Sequence, residues 1–238
     1  GYSINQIKDL TRGLSFKSTG KLNMKMGLNS FSCHEVISNM SKNNLNKIFK
    51  YYGDEKYSKK IATKITQIRK TKIIYTEDLT KIVNSVKKNK NPKINNSTKV
   101  FQALRIFVNK EISELIYGLI NAFHLLPVGG IIAVVTFHSI EDKIVKFFFK
   151  NYSEIKNLSR YMPYQQNNTR CFDLKYKKPI TPTAEELKSN PPSRSAKLRY
   201  AVKINNECNF EEFIQKFSKL IDIENLSFDK WKNYFFLF

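Results

Sequence analysis

The chain has 238 residues, 41% of them hydrophobic, enough for one sizeable core or for a domain carrying an insertion. Lys and Arg number 41 against 20 Asp and Glu, a net charge of +21, which favours polyanionic partners through phosphate contacts and counterion release. Three scattered cysteines (Cys33, Cys171, Cys208) and three histidines without ligand spacing argue against a zinc ribbon, a disulfide framework or any metal site, and no 18-residue apolar stretch marks a membrane span.

The charge is unevenly spread. Residues 42–99 hold 16 Lys and Arg against 4 acids, whereas residues 205–238 hold 4 against 6. Abundant Lys, Asn, Ile, Tyr and Phe fit AT-rich coding, but a basic block beside a near-neutral tail is harder to attribute to codons. A reducing cytoplasmic setting is expected, with an organelle matrix as the alternative. The chain opens at Gly1, in what reads as the middle of a motif, so a preceding part is expected.

Residues 1–9 read as the turn after a strand, and the glycine-punctuated residues 10–30 as loop. Residues 31–90 read as helices. Ser32 and Glu35 form a predicted capping box, and Glu77 and Asp78 place acids in the first turn of a later helix. Residues 87–97 are a basic linker. The apolar stripe through Phe101, Leu104, Val108, Ile112, Leu115, Leu119 and Ala122 predicts one helix over 98–125, ended by Pro127 and Gly129-Gly130.

Ile131 to Phe137 is a continuous apolar run of strand length, suited to a central strand covered on both faces. It runs straight into an amphipathic helix that buries Ile144, Val145 and Phe148, with Ser139 as the predicted cap and Asp142 at the third helical position. The carboxyl end of a strand in an open α/β sheet is where ligands bind, so this junction is the first candidate site. Residues 156–197 are proline-rich and irregular. Leu198, Tyr200, Val202 and Ile204 alternate with Arg199, Ala201 and Lys203, as in a half-exposed strand. Residues 205–238 add one helix through Phe213, Phe217 and Leu220, and an aromatic end.

Five blocks in order carry a family resemblance. They are Gly1-Tyr-Ser-Ile-Asn-Gln6; Arg12-Gly-Leu-Ser-Phe16 with Leu22-Asn-Met-Lys-Met26; Thr98-Lys-Val-Phe-Gln-Ala-Leu-Arg-Ile-Phe-Val-Asn109; Thr136-Phe-His-Ser-Ile-Glu-Asp-Lys-Ile-Val-Lys146; and Lys178-Pro-Ile-Thr-Pro-Thr, running on to Asn190-Pro-Pro-Ser-Arg-Ser-Ala-Lys-Leu-Arg199. Along roughly residues 1–204 the chain resembles the RsmH (MraW) family, S-adenosylmethionine-dependent methyltransferases acting on the N4 amine of a cytosine in small-subunit ribosomal RNA. The resemblance implies an α/β fold, the C-terminal part of a Rossmann-like methyltransferase domain with a helical insertion. The implied segments are 1–9 (end of the cofactor-side strand and its turn), 10–96 (helical insertion, RNA recognition), 97–204 (remainder of the methyltransferase domain) and 205–238 (an extension of unassigned role).

It further implies S-adenosylmethionine as cofactor, with contacts from Gly1, Ser3 and Gln6. The glycine turn and two acids that hold most of the cofactor in the family fall outside the matching sequence, so poor cofactor binding is expected. His138, Ser139 and Asp142 are the catalytic candidates that would shape the cytosine pocket. Arg12, Arg105, Asn109, Arg194 and Arg199 are the RNA-binding candidates. The expected partners are small-subunit ribosomal RNA or an assembling subunit, with neither membrane nor metal.

Plainer roles stay open: His138 as a strand-end hydrogen-bonding group, Ser139 and Asp142 as helix caps, Glu141 as a solvated acid, and the arginines as surface charges. Departures from the family pattern are Asn23 for Asp, Lys25 and Lys99 for Arg, and Pro192 for Arg. An Arg to Lys exchange loses bidentate recognition. The alternative reading is a non-catalytic RNA-binding module in ribosome assembly, derived from this family.

Overall fold

The structure is a computed structural model that describes residues 13–15, 18, 20–27, 29–87, 95–154 and 170–228. It is a mixed α/β fold that divides into two compact units. One spans 1–113 and 219–238, the other 114–218.

The first unit is helical. It contains α1 (Cys33–Asn39), α2 (Lys42–Gly53), α3 (Ser58–Ile68), α4 (Thr76–Val86) and α5 (Thr98–Asn109). Each start has a physical cause. Ser32 and Glu35 cap α1 reciprocally, as the sequence predicts: Glu35 Oε2 accepts from Ser32 N at 2.7 Å, and Ser32 Oγ accepts from Glu35 N. Ser41 Oγ caps α2, and Asp78 accepts the Tyr75 amide ahead of α4. Ile48, Phe49 and Tyr52 of α2 and Ile61 and Ile65 of α3 are fully buried, and α5 packs across α2. Gly53 sets that approach, because a Cβ there would stand 2.6 Å from the Lys99 carbonyl oxygen.

The single helix expected over 98–125 is two. Lys110 adopts a left-handed backbone (φ 50°), ending α5 and starting α6 (Glu111–Leu125). The break exposes the first amides of α6, and Glu224 satisfies them: its carboxylate accepts from Ile112 N (2.8 Å), Ser113 N (2.9 Å) and Ser113 Oγ. An apolar stripe that continues in phase across a one-residue break cannot reveal it. Burial pushes the Glu224 carboxyl above its ordinary range, although these donors pull the other way.

The second unit holds the sheet. Its elements after the rest of α6 are β1 (Ile131–Thr136), α7 (Ser139–Asn151), β2 (Phe172–Asp173), α8 (Ala184–Ser189), a 3₁₀ turn (Pro191–Ser195), β3 (Lys197–Lys203) and the start of α9 (Glu211–Glu224). Strand order is β1-β3-β2, with both pairings antiparallel, running from Ile131 opposite Val202 to Thr136 opposite Lys197. Phe123, Phe148, Phe172, Phe210 and Phe213 form an aromatic core with ring centroids 4.9–5.5 Å apart.

Three expectations change here. The 131–137 run is not a central strand within the described sheet: β1 lies at an edge, with only one face covered. The alternation in 197–204 holds, but β3 buries Arg199, Ala201 and Lys203 and leaves Leu198, Tyr200 and Val202 half-buried. Lys203, 2% exposed, donates to the carbonyls of Phe123 (2.8 Å) and Leu126 (2.6 Å) at the end of α6, and its ammonium lies 4.3 Å from the Phe123 ring centre. Finally, Cys171 and Cys208 are joined as a disulfide, with Cα atoms 6.3 Å apart; a sequence separation of 37 hid the pairing that the cysteine spacing seemed to exclude.

The expected turn at 1–9 and the aromatic end from Trp231 to Phe238 lie outside the described residues. Among the described residues no helix is long and apolar enough to cross a membrane.

Candidate functional site

The β1–α7 junction gathers the polar residues of the Thr136–Lys146 block. The cap of α7 is His138, one residue before the predicted Ser139. His138 is extended (φ −138°, ψ 162°), and its Nδ1 accepts from Glu141 N at 3.4 Å. Glu141 Oε2 accepts in return from the amides of Phe137 (2.9 Å) and His138 (3.4 Å). Imidazole does here what a hydroxyl does at other helix starts, so the pattern that favours serine misplaced the cap by one position. His138 Nε2 lies 3.2 Å from Glu141 Oε1 without the angle of a hydrogen bond, a contact that strengthens only when the ring is protonated. Ser139 is exposed on the first turn.

Asp142 anchors a second network. Its Oδ1 accepts from Arg199 Nε at 2.7 Å and its Oδ2 from Lys197 Nζ at 2.9 Å. Arg199 also donates to the Lys177 carbonyl at 3.2 Å. Partial burial acts to raise the Asp142 carboxyl, and the two charged hydrogen bonds outweigh it, holding the group below its ordinary value. Asp142 is therefore a fixed anion that orients two cations. A catalytic and an RNA-binding candidate, far apart in sequence, are thus brought together, and Lys197, which the motif reading passed over, completes the set.

In the helical unit, Asn109 is a buried clamp. Its Oδ1 accepts from Met26 N (2.7 Å) and Asn29 Nδ2 (2.5 Å), and its Nδ2 donates to the carbonyls of Met24 (2.9 Å) and Arg105 (2.8 Å). It thus ties the Leu22–Met26 block to α5 through all four of its hydrogen-bonding positions. Met24 in that strap is fully buried and left-handed (φ 58°). Arg105 makes a bidentate pair with Glu111 at 2.8 and 2.9 Å. Arg194 is exposed on the 3₁₀ turn of the other unit. Gly1, Ser3, Gln6 and Arg12 lie outside the described residues.

The outer surface of α2 and α3 is cationic. Lys42, Lys47, Lys50, Lys59, Lys60 and Lys64 are exposed there. The two acids between the helices are already engaged by lysines from elsewhere, Asp54 by Lys99 (3.3 Å) and Glu55 by Lys87 (2.6 Å). An open groove of about 600 Å³ is lined by Ser38, Lys42, Thr63, Gln67, Arg69 and Lys70, among others. Arg69 forms part of its wall while donating to the Ile37 and Met40 carbonyls at the end of α1.

Comparison with known proteins identifies the family. The model of the MraW methylase family matches residues 1–204. A ribosomal RNA small subunit methyltransferase H of Ehrlichia canis (strain Jake) is 44% identical over 207 residues, covering 86% of this chain and 67% of that protein. The protein of the same name from Rhodopseudomonas palustris (strain BisA53) is 41% identical over 200 residues, covering 84% and 60% respectively. That from Bartonella tribocorum (strain CIP 105476 / IBS 506) is 39% identical over 214 residues, covering 89% and 64%. The chain thus spans about three fifths to two thirds of the length of the curated relatives it matches. With the family model covering residues 1–204 of its 238, the chain belongs to the MraW methylase family.

Proposed function

We propose that the chain takes part in methylation of small-subunit ribosomal RNA, with the N4 amine of a cytosine as acceptor and S-adenosylmethionine as donor. The observation that carries this reading is the family match together with the relatives' shared description as small-subunit ribosomal RNA methyltransferases. The cofactor would supply an electrophilic methyl group. The described β1–α7 junction does not fit it: Asp142 is taken by Lys197 and Arg199, and Glu141 by backbone amides. Donor contacts rest on Gly1, Ser3 and Gln6, as the family resemblance implies, and the junction's carboxylates have no part in holding the donor.

The chain's own residues would position the acceptor. A cytosine amine delocalises its lone pair into the ring, so holding the base in line is a large share of the work. The base must leave its stack, which a ribosomal RNA loop makes cheaper. His138 and Ser139 at the end of β1 would wall the base pocket, with Asp142 holding Arg199 and Lys197 in place. Arg12, Arg105, Asn109 and Arg194 are kept as RNA-side candidates, Asn109 by shaping the 22–29 strap. The cationic α2–α3 surface and its groove would take phosphate.

The second reading is a non-catalytic RNA-binding module, favoured by that surface, which needs no cofactor. Incubating the chain with undermethylated small subunits and methyl-labelled S-adenosylmethionine, at concentrations raised to offset the weak donor binding expected of it, followed by nucleoside analysis, separates the two. Labelled N4-methylcytidine is the expected product. RNA binding without any label transfer would overturn the enzymatic reading in favour of the module.

A further inference from the structure

Residues 205–238 lie beyond the family match, yet the stretch from Lys219 onward belongs to the helical unit. Three contacts fix it there. The fully buried Tyr52 of α2 donates its hydroxyl to the Leu220 carbonyl at 2.5 Å. Glu224 closes the start of α6 through the Ile112 and Ser113 amides. The Phe228 ring lies 4.4 Å from that of Phe31, centre to centre. Just ahead of the first anchor stands the exposed Lys219. Its ammonium is 4.6 Å from the Tyr51 ring centre on α2, and that of Lys50 is 5.6 Å from the same ring. Lys47 precedes Tyr51 by one helical turn, on the same face of α2. Lys219 donates toward the phenol oxygen and adds its charge, Lys50 and Lys47 add theirs, and the Tyr51 hydroxyl is held below its ordinary value. Among the described residues, none of these three lysines has a carboxylate within ion-pair distance. Like charges gathered without a counter-charge repel one another, and an anion placed among them removes that cost.

We propose that Lys219, from the segment beyond the family match, joins Lys47, Lys50 and Tyr51 of α2 in a site for an RNA backbone phosphate, which gives residues 205–238 a part in holding the substrate. The ammoniums supply the charge, and the phenol O–H donates to a phosphate oxygen. The site continues the cationic α2–α3 surface, of which Lys47 and Lys50 are already members. It fixes the register of the RNA without reading its sequence, as phosphate contacts do. The Tyr51 ring face lies under the Lys219 ammonium, so the contact is with phosphate and not with a stacked base. An acidic protein fits less well, because protein interfaces centre on uncharged, apolar surface.

The inference rests on the RNA reading above and not on methyl transfer. The test is to titrate small-subunit ribosomal RNA into the 238-residue chain over a range of salt concentrations, with fluorescence anisotropy as the readout. Lys219→Ala should lower the slope of log affinity against log salt by roughly 0.7, the share of one single-strand phosphate. Lys219→Glu should weaken binding at least about tenfold, and the charge-matched Lys188→Glu, beside Glu185 and Glu186 on α8, by less than about twofold. Tyr51→Phe, which removes a hydroxyl and no charge, should cost about threefold and leave the slope alone. Lys219 is exposed and the Tyr51 change deletes one oxygen, so these variants should melt with the parent chain, which controls for folding. An unchanged slope in Lys219→Ala, or a loss in Lys219→Glu no larger than in Lys188→Glu, sinks the site. If Lys64→Glu weakens binding while the Lys219 variants do not, the RNA reading stands and this site falls alone. A parent chain that binds no such RNA removes both. Weakened binding in the Lys219 variants of a chain that transfers no methyl group leaves the site standing and removes the enzymatic reading.

Discussion

In the helical unit, helical spacing nominates Ile48, Tyr51 and Tyr52 on α2 and Ile61, Ile65 and Ile68 on α3, and all but the half-buried Tyr51 and Ile68 are fully buried. In the sheet unit β3 does the reverse, turning Arg199 and Lys203 inward and Leu198 and Val202 toward the uncovered side. The contrast shows when patterning can be trusted. Amphipathicity names the buried face where the covering element lies within the same compact unit. It fails where cations find buried partners, a carboxylate for Arg199 and helix-end carbonyls for Lys203, and where the apolar face meets no described element.

The predictions probe this contrast from the largest effect downward. Phe148→Ala in the aromatic core of the sheet unit should cost about 3–5 kcal/mol, as an unrelaxed cavity does, measured by denaturant unfolding. Arg199→Ala should cost about 2 kcal/mol, because Asp142 loses one charged hydrogen bond in a largely enclosed site while keeping Lys197. The paired change Asp142→Leu with Arg199→Met should recover part of that loss. No recovery would mean that the inward cations are not what decides the orientation of β3. In the helical unit, Asn109→Ala should cost roughly 2 kcal/mol by stranding the Met26 amide and Met24 carbonyl. Amide exchange should then accelerate at 24–29 before it does elsewhere.

Acid should act oppositely on the two units. Asp142 titrates below its unfolded value, so its contribution is present above about pH 4 and is lost as pH falls through the folded value. Glu224 titrates above its unfolded value. The native state then holds the extra proton, and its contribution is greatest below about pH 4 and declines as pH rises through the folded value. Stability against pH should flatten on the acid side in Asp142→Asn and lose its decline above that point in Glu224→Gln. Matching slopes in the two variants would refute this assignment. The smallest stability change, within about 0.5 kcal/mol, is expected for the exposed Lys64→Glu, which should nonetheless weaken RNA binding in a salt-dependent way.

Local chemistry was readable in advance. The Ser32–Glu35 box, the acids opening α4, the strand-to-helix junction after residue 136 and the final helix all depend on neighbours within a few residues. The same locality explains near misses. Serine is the commoner cap, so the local pattern favours Ser139 over His138; the stripe through 98–125 stays in phase across Lys110, so it carries no sign of the break.

The order of blocks along the chain was enough by itself to specify the family, because motif spacing survives without coordinates. Only the tertiary structure decided which groups meet: Asp142 with Arg199 and Lys197, Asn109 with the Met24 strap, Glu224 with the start of α6, and Cys171 with Cys208. These pairs are separated by 37 to 112 residues. A linear pattern records which faces are polar or apolar, but whether a charge on a face is solvated or buried depends on a partner that only the folded chain brings near.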